Sequence, residues 1–169
     1  MGDFLEEFKL SQQVKLKLQD KQRLKKAFAE GKTVQQELEF SNETMAKFYS
    51  AAYHILENKK YEDASNAFLF LTTLSPNCYD YWMGLGIATQ LGGHYEEAVD
   101  AYEMGAILEP ENPVPYFYLA KCFFAIHEKD HALEALDMAI EYAGEDDQFF
   151  DLKQEALAAR KLLFKDHQN

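Results

Sequence analysis

Several residues in this chain have the type and spacing that chemistry requires. His127 and His131 stand four apart, the spacing that puts two imidazoles on one helix face as a metal pair. They straddle an expected turn between helices, and no third ligand is arranged beside them, so a pair of surface histidines is the better reading. Glu96-Glu97 and Asp146-Asp147 are paired acids, but they open helices, where negative charge suits the helix dipole. A catalytic pair would need a cleft and a raised pKa. Leu91-Gly92-Gly93 follows no strand and falls in a turn, which does not suit a phosphate loop. The expectation is a protein that is not an enzyme, with no catalytic residue, metal or cofactor. The residues left to carry function are apolar and aromatic ones spaced along helix faces, Tyr49 and Tyr53 first among them, and their chemistry is that of binding.

The chain that must position them has 169 residues, 47% hydrophobic and 14% aromatic, enough for one folded domain with a core. Residues 1–42 carry 8 Lys/Arg and 7 Asp/Glu, whereas residues 43–169 carry 9 and 22. The acidic part does not suit nucleic acid, which needs a basic surface, and its charge reads as solubility of exposed helix faces. Cys78 and Cys122 form neither a disulfide framework nor a zinc spacing. With no signal peptide and no apolar run near the ~20 residues that span a bilayer, the protein is expected to be soluble and intracellular, in a reducing cytoplasm.

The clearest organisation lies at residues 79–112. Trp82, Leu85-Gly86, Tyr95, Ala98, Tyr102 and Pro110 form the pattern of a tetratricopeptide (TPR) helix–turn–helix repeat. Sliding the chain by one repeat length finds the same columns on either side. The aromatic of helix A recurs as Phe48, Trp82 and Tyr116, and the small residue as Ala52, Gly86 and Ala120. On helix B the alanine recurs as Ala64, Ala98 and Ala132, followed by Phe68, Tyr102 and Leu136, with Pro76, Pro110 and Gly144 as terminators. The fold class is therefore all-α: a TPR solenoid with repeats at 45–78, 79–112 and 113–146. Residues 1–44 form an N-terminal helical segment and connector, with Gly31 as a helix cap and Ser41, Asn42 or Thr44 capping the first helix of the repeats. Residues 147–169 form a C-terminal capping helix and tail, which a solenoid needs to cover its last repeat.

In the basic N-terminal segment, Leu10, Val14, Leu18, Leu24 and Phe28 fall on one side of an expected helix. The segment suits packing on the repeats or on a second copy. Membrane-surface binding and nucleic-acid binding are weaker readings, since it lacks a Trp anchor and its polar face carries glutamines.

In stacked TPR hairpins, helix A lines the concave face through the second, fifth, ninth and twelfth positions of each repeat. These are Ala46, Tyr49, Tyr53 and Leu56, then Asp80, Met83, Ile87 and Gln90, then Val114, Phe117, Lys121 and Phe124. They are expected to point away from the seam between helices A and B, in a groove for an extended apolar peptide. The competing reading buries them under the terminal helices. The carboxylate clamp of TPR co-chaperones needs Lys and Asn where Tyr49 and Tyr53 stand, and another Asn where Gly84 stands, so that clamp is absent.

GKTV at 31–34, TMAKFYSAAYHILENKKYEDA at 44–64, YWMGLGIATQ at 81–90 and YEMGAILEPENPVPYFYLAKCFF at 102–124 occur in the order and spacing of one family. With Gly105-Ala106 and the Pro113–Cys122 run, they resemble the class II chaperones of bacterial type III secretion, the LcrH/SycD/IpgC type. The resemblance implies a chaperone that binds an extended segment near the N-terminus of hydrophobic translocator proteins and keeps them soluble, with no direct membrane binding. It implies groove aromatics at Tyr49 and Tyr53, with Leu56 where the family usually has a third aromatic, and a homodimer through the N-terminal segment. A generic TPR scaffold and a partner of a transcription activator are the alternative functions.

Overall fold

Local signals decide where the helices of this chain begin. A computed structural model describes residues 12–166; Leu10, the acidic N-terminal residues and the tail from His167 lie outside it. The described residues form ten α-helices. The N-terminal ones are α1 (Gln12–Gln19), α2 (Lys21–Ala29) and α3 (Val34–Glu37). Three antiparallel pairs follow: α4 (Asn42–Glu57) with α5 (Tyr61–Leu74), α6 (Tyr79–Leu91) with α7 (Tyr95–Leu108), and α8 (Pro113–Ala125) with α9 (Lys129–Ala143). A 3₁₀ turn at Asp147–Phe149 leads into α10 (Phe150–Asp166). Two compact units divide between Leu85 and Gly86, within α6.

The single N-terminal helix expected from sequence is two. Asp20 leaves helical geometry, and its carboxylate accepts a hydrogen bond from the Arg23 backbone N–H at 3.0 Å, opening α2 as its N-cap. Val14 and Leu18 thus belong to one helix and Leu24 and Phe28 to another. Ala27 is the buried residue of α2, while Phe28 is exposed. Glu30 caps α2, and Gly31 beyond it takes a φ of 74°. Thr33 and Gln36 form a reciprocal capping box at α3, which packs on α2 and α5. Ser41 is the N-cap of α4, its hydroxyl accepting from the Thr44 N–H at 3.1 Å.

Each helix pair turns through one left-handed residue, at Lys59, Gly93 and His127, which recur at a constant interval. Only one of the three is glycine, so the tight turn is held elsewhere by the packing of its two helices. The helix A aromatic tethers the preceding turn twice: Trp82 Nε1 donates to the Pro76 carbonyl at 2.7 Å and the Tyr116 hydroxyl to the Pro110 carbonyl at 2.8 Å. Ala64, Ala98 and Ala132 are all buried, consistent with close packing of helix B.

Two glycines of α6 receive aromatic rings. A Cβ on Gly84 would lie 2.2 Å from the Phe68 ring, and one on Gly86 would lie 2.5 Å from the Tyr102 ring. Phe68 and Tyr102 are fully buried and cannot swing aside. Gly84→Ala is therefore expected to destabilise the protein by about 1–3 kcal/mol despite the better helix propensity of alanine, measurable as a lower urea midpoint. Ser41→Ala removes the α4 cap and is expected to cost about 1 kcal/mol in the same titration.

Candidate functional site

Within the first unit, α4 places Tyr49 and Tyr53 one turn apart on a common face. Their ring centroids are 4.9 Å apart in an edge-on arrangement. Tyr49 also lies 5.6 Å from Tyr81 of α6 and 6.2 Å from Phe68 of α5, and Tyr53 lies 5.4 Å from Phe68. Phe68 is fixed by its approach to Gly84, so the half-buried tyrosines rest on a rigid floor. Leu56 and Met83 are buried. The expectation of an open groove position does not hold for these two, whose apolar side chains are withdrawn from solvent. Ala46 is exposed at the start of the same α4 face.

Burial pushes the Tyr49 phenol far above its ordinary range, helped by a hydrogen bond with Tyr53 and by the nearby Asp80 and Cys78. Tyr81 shifts the same way, again chiefly through burial. These phenols stay neutral through the physiological range. They offer apolar ring faces and O–H donors together, the combination that suits apolar side chains and backbone carbonyls of an extended peptide.

Within the second unit, Phe117, Lys121 and Phe124 of α8 come together in one cavity of about 510 Å³. Ala120, Leu136 of α9 and Ala159, Leu162 and Leu163 of α10 complete its apolar wall, while Glu155, Lys165 and Asp166 supply charge at its edge. Phe117 is buried and Phe124 exposed. The Lys121 ammonium sits 4.3 Å above the Phe117 ring and 5.6 Å from Tyr118, in cation–π contact. Tyr118 stacks on Tyr102 at 5.3 Å, and the Tyr102 hydroxyl donates to Gln90 Oε1 at 2.6 Å. Gln90 thus faces helix B, contrary to the expectation that it points away from the seam, because its amide carbonyl satisfies a phenol that packing draws into the interior. Ile87 is half-buried on α6.

Sequence reasoning missed Tyr81 and the whole contribution of α10. Tyr81 sits beside, not on, the helix positions chosen by periodicity. The signal on α10 was its surplus of apolar residues, more than covering the last repeat uses. Of the polar candidates, His127 occupies the left-handed turn and His131 lies on α9, 3.4 Å from Glu128. No group of three His, Cys, Asp or Glu among the described residues has a metal-binding arrangement. Burial pushes the Cys122 thiol up to about 11, which does not suit a nucleophile. Among the described residues no helix is long and apolar enough to cross a membrane.

Known proteins share this fold. The tetratricopeptide repeat family model matches residues 79–112. Low calcium response locus protein H of Yersinia pestis is 31% identical over 122 residues, 72% of this chain and 73% of the relative. The Yersinia enterocolitica type III secretion chaperone SycD, solved with a peptide of the translocator YopD, superposes with a TM-score of 0.73 at 27% identity. That match covers 76% of this chain and 98% of SycD. PcrH of Pseudomonas aeruginosa, solved with the chaperone-binding region of PopD, gives a TM-score of 0.73 at 25% identity over 76% of this chain and 96% of PcrH. Helical repeats, aromatic face and kinship agree: the chain belongs to the LcrH/SycD family of type III secretion translocator chaperones.

Proposed function

We propose that this protein is a chaperone, not an enzyme, that works in the bacterial cytoplasm. It binds an extended segment near the N-terminus of hydrophobic type III translocators and keeps them soluble until secretion. The observation that carries this is the aromatic platform of Tyr49, Tyr53 and Tyr81 over Phe68. Support comes from SycD and PcrH, which were solved with translocator segments. The platform binds by ring contact and by phenol hydrogen bonds. In the second unit, Phe117, Lys121 and Phe124 line an apolar pocket whose cations are Lys121 and Lys165, and Ile87 offers a half-buried contact. Leu56, Met83 and Gln90 act from beneath by holding these groups in place.

The protein also forms a homodimer in this reading, through Val14, Leu18, Leu24 and Phe28 together with Leu10. SycD has been solved as a dimer, and here Phe28 is an exposed aromatic on a helix whose buried residue is Ala27.

Tyr49→Ala with Tyr53→Ala is expected to weaken binding of a translocator segment on the order of 100-fold, read by calorimetric titration and by loss of co-expressed translocator from the soluble fraction. Tyr49→Phe with Tyr53→Phe keeps the rings and should retain most of the affinity. A double alanine variant that remains helical by circular dichroism and solubilises its partner as before overturns the reading. Phe28→Glu is expected to shift the mass in solution from dimer to monomer, measured by light scattering. An unchanged dimer removes that role from the helix.

A further inference from the structure

Repeat register points to an unfinished seam on α10. Counting one repeat on from Phe48, Trp82 and Tyr116 reaches Phe150. Counting on from Ile55, Thr89 and Phe123 reaches Leu157. In the first repeat this face of helix A packs under its helix B, leaving Phe48 6%, Ala52 0% and Ile55 5% exposed. On α10 the same face stands open: Phe150 is 58%, Leu157 37% and Phe164 49% exposed. These three residues recur every seventh position and so form a single stripe along the helix.

The charges beside the stripe are cationic. Lys161 lies within it, Lys153 and Arg160 flank one side and Lys165 the other, whereas the nearest acid of α10, Asp151, lies about 100° round the helix from Phe150. Two of these cations have acidic neighbours. Lys153 pairs with Glu145 at 3.0 Å and donates to the Gly144 carbonyl, and Arg160 lies 2.8 Å from Asp137 and 5.5 Å from the Phe164 ring, so Lys161 and Lys165 are the cations left to meet a partner. Lys161 and Lys165 remain exposed.

We propose that this face of α10 docks an acidic amphipathic α-helix of a partner protein, which takes the place of a fourth helix B. The register specifies the shape, since α4 and α8, which carry this face in the repeats, pack against α5 and α9. The cationic margin specifies the charge of the occupant. Gln154 stands where the repeats have Ala52, Gly86 and Ala120, so the docked helix sits further out than a helix B of the solenoid. That looser packing fits a reversible partner better than a permanent element. The face is distinct from the aromatic platform on α4 and does not depend on it.

The test uses the full chain and a synthetic helical peptide with Leu along one face and Glu on its flanks. Fluorescence anisotropy is expected to show saturable binding that weakens with salt. Leu157→Glu and, separately, Phe164→Glu should each weaken it on the order of tenfold or more, while Tyr49→Ala with Tyr53→Ala leaves it unchanged. Both α10 residues are exposed, and unchanged circular dichroism would confirm that the fold is kept. A counterpart peptide with Lys for Glu should bind much more weakly. Equal binding of both peptides, or no effect of either α10 variant, overturns the proposal. Preferential binding to vesicles containing phosphatidylglycerol, abolished by Leu157→Glu, would assign the face to a membrane surface instead. A dimer that dissociates on Leu157→Glu would assign it to a second copy, and either result overturns the partner helix.

Discussion

In each unit of this protein, an aromatic ring of helix B fills the space where α6 has no side chain. Phe68 sits over Gly84 in the first unit and Tyr102 over Gly86 in the second. A ring set this close to a helix backbone has little room to turn, and whatever rests on it inherits that rigidity. Tyr49 and Tyr53 rest on Phe68. Tyr118 stacks on Tyr102, and Lys121 in turn reaches over Tyr118 and Phe117. The candidate binding groups of each unit are therefore carried on rings that the glycines hold in place. A site for a flexible segment gains from such preorganisation, because only the segment then loses conformational freedom on binding.

The tyrosines show how one environment serves two purposes. Partial burial raises the Tyr49 phenol far above its usual range and keeps it a neutral donor. The same burial leaves one part of the ring for the core and another for a ligand. A fully exposed phenol would give up more water and side-chain freedom on binding, and a fully buried one would have nothing to offer. This intermediate state matches a chaperone that holds apolar segments and later releases them.

Much of the fold was legible in the sequence because helix packing repeats the same demand at the same interval. Phe48, Trp82 and Tyr116, the small residues at 52, 86 and 120, and the alanines at 64, 98 and 132 carry it. Ser41 and Thr33 show helix starts equally well, since capping is a local reaction between a side chain and a backbone N–H two or three residues away. The break at Asp20 obeys the same local rule, but it was hidden by an apolar spacing that runs through it. The left-handed turns at Lys59 and His127 were invisible, since neither residue favours that conformation.

For the candidate site, sequence alone determined which residues occupy the face-bearing positions of helix A, and the tyrosines and phenylalanines there read as a candidate surface for an apolar peptide. Tertiary structure decided which of them remain available. Leu56 and Met83 went into the interior, Gln90 turned to meet Tyr102, and Tyr81 and Leu162 joined from positions that periodicity did not select. Periodicity fixes the direction a side chain takes from its own helix axis. Whether that direction ends in solvent, in a cavity or against another ring depends on how closely the next helix approaches, and that distance is set by residues far away in the chain.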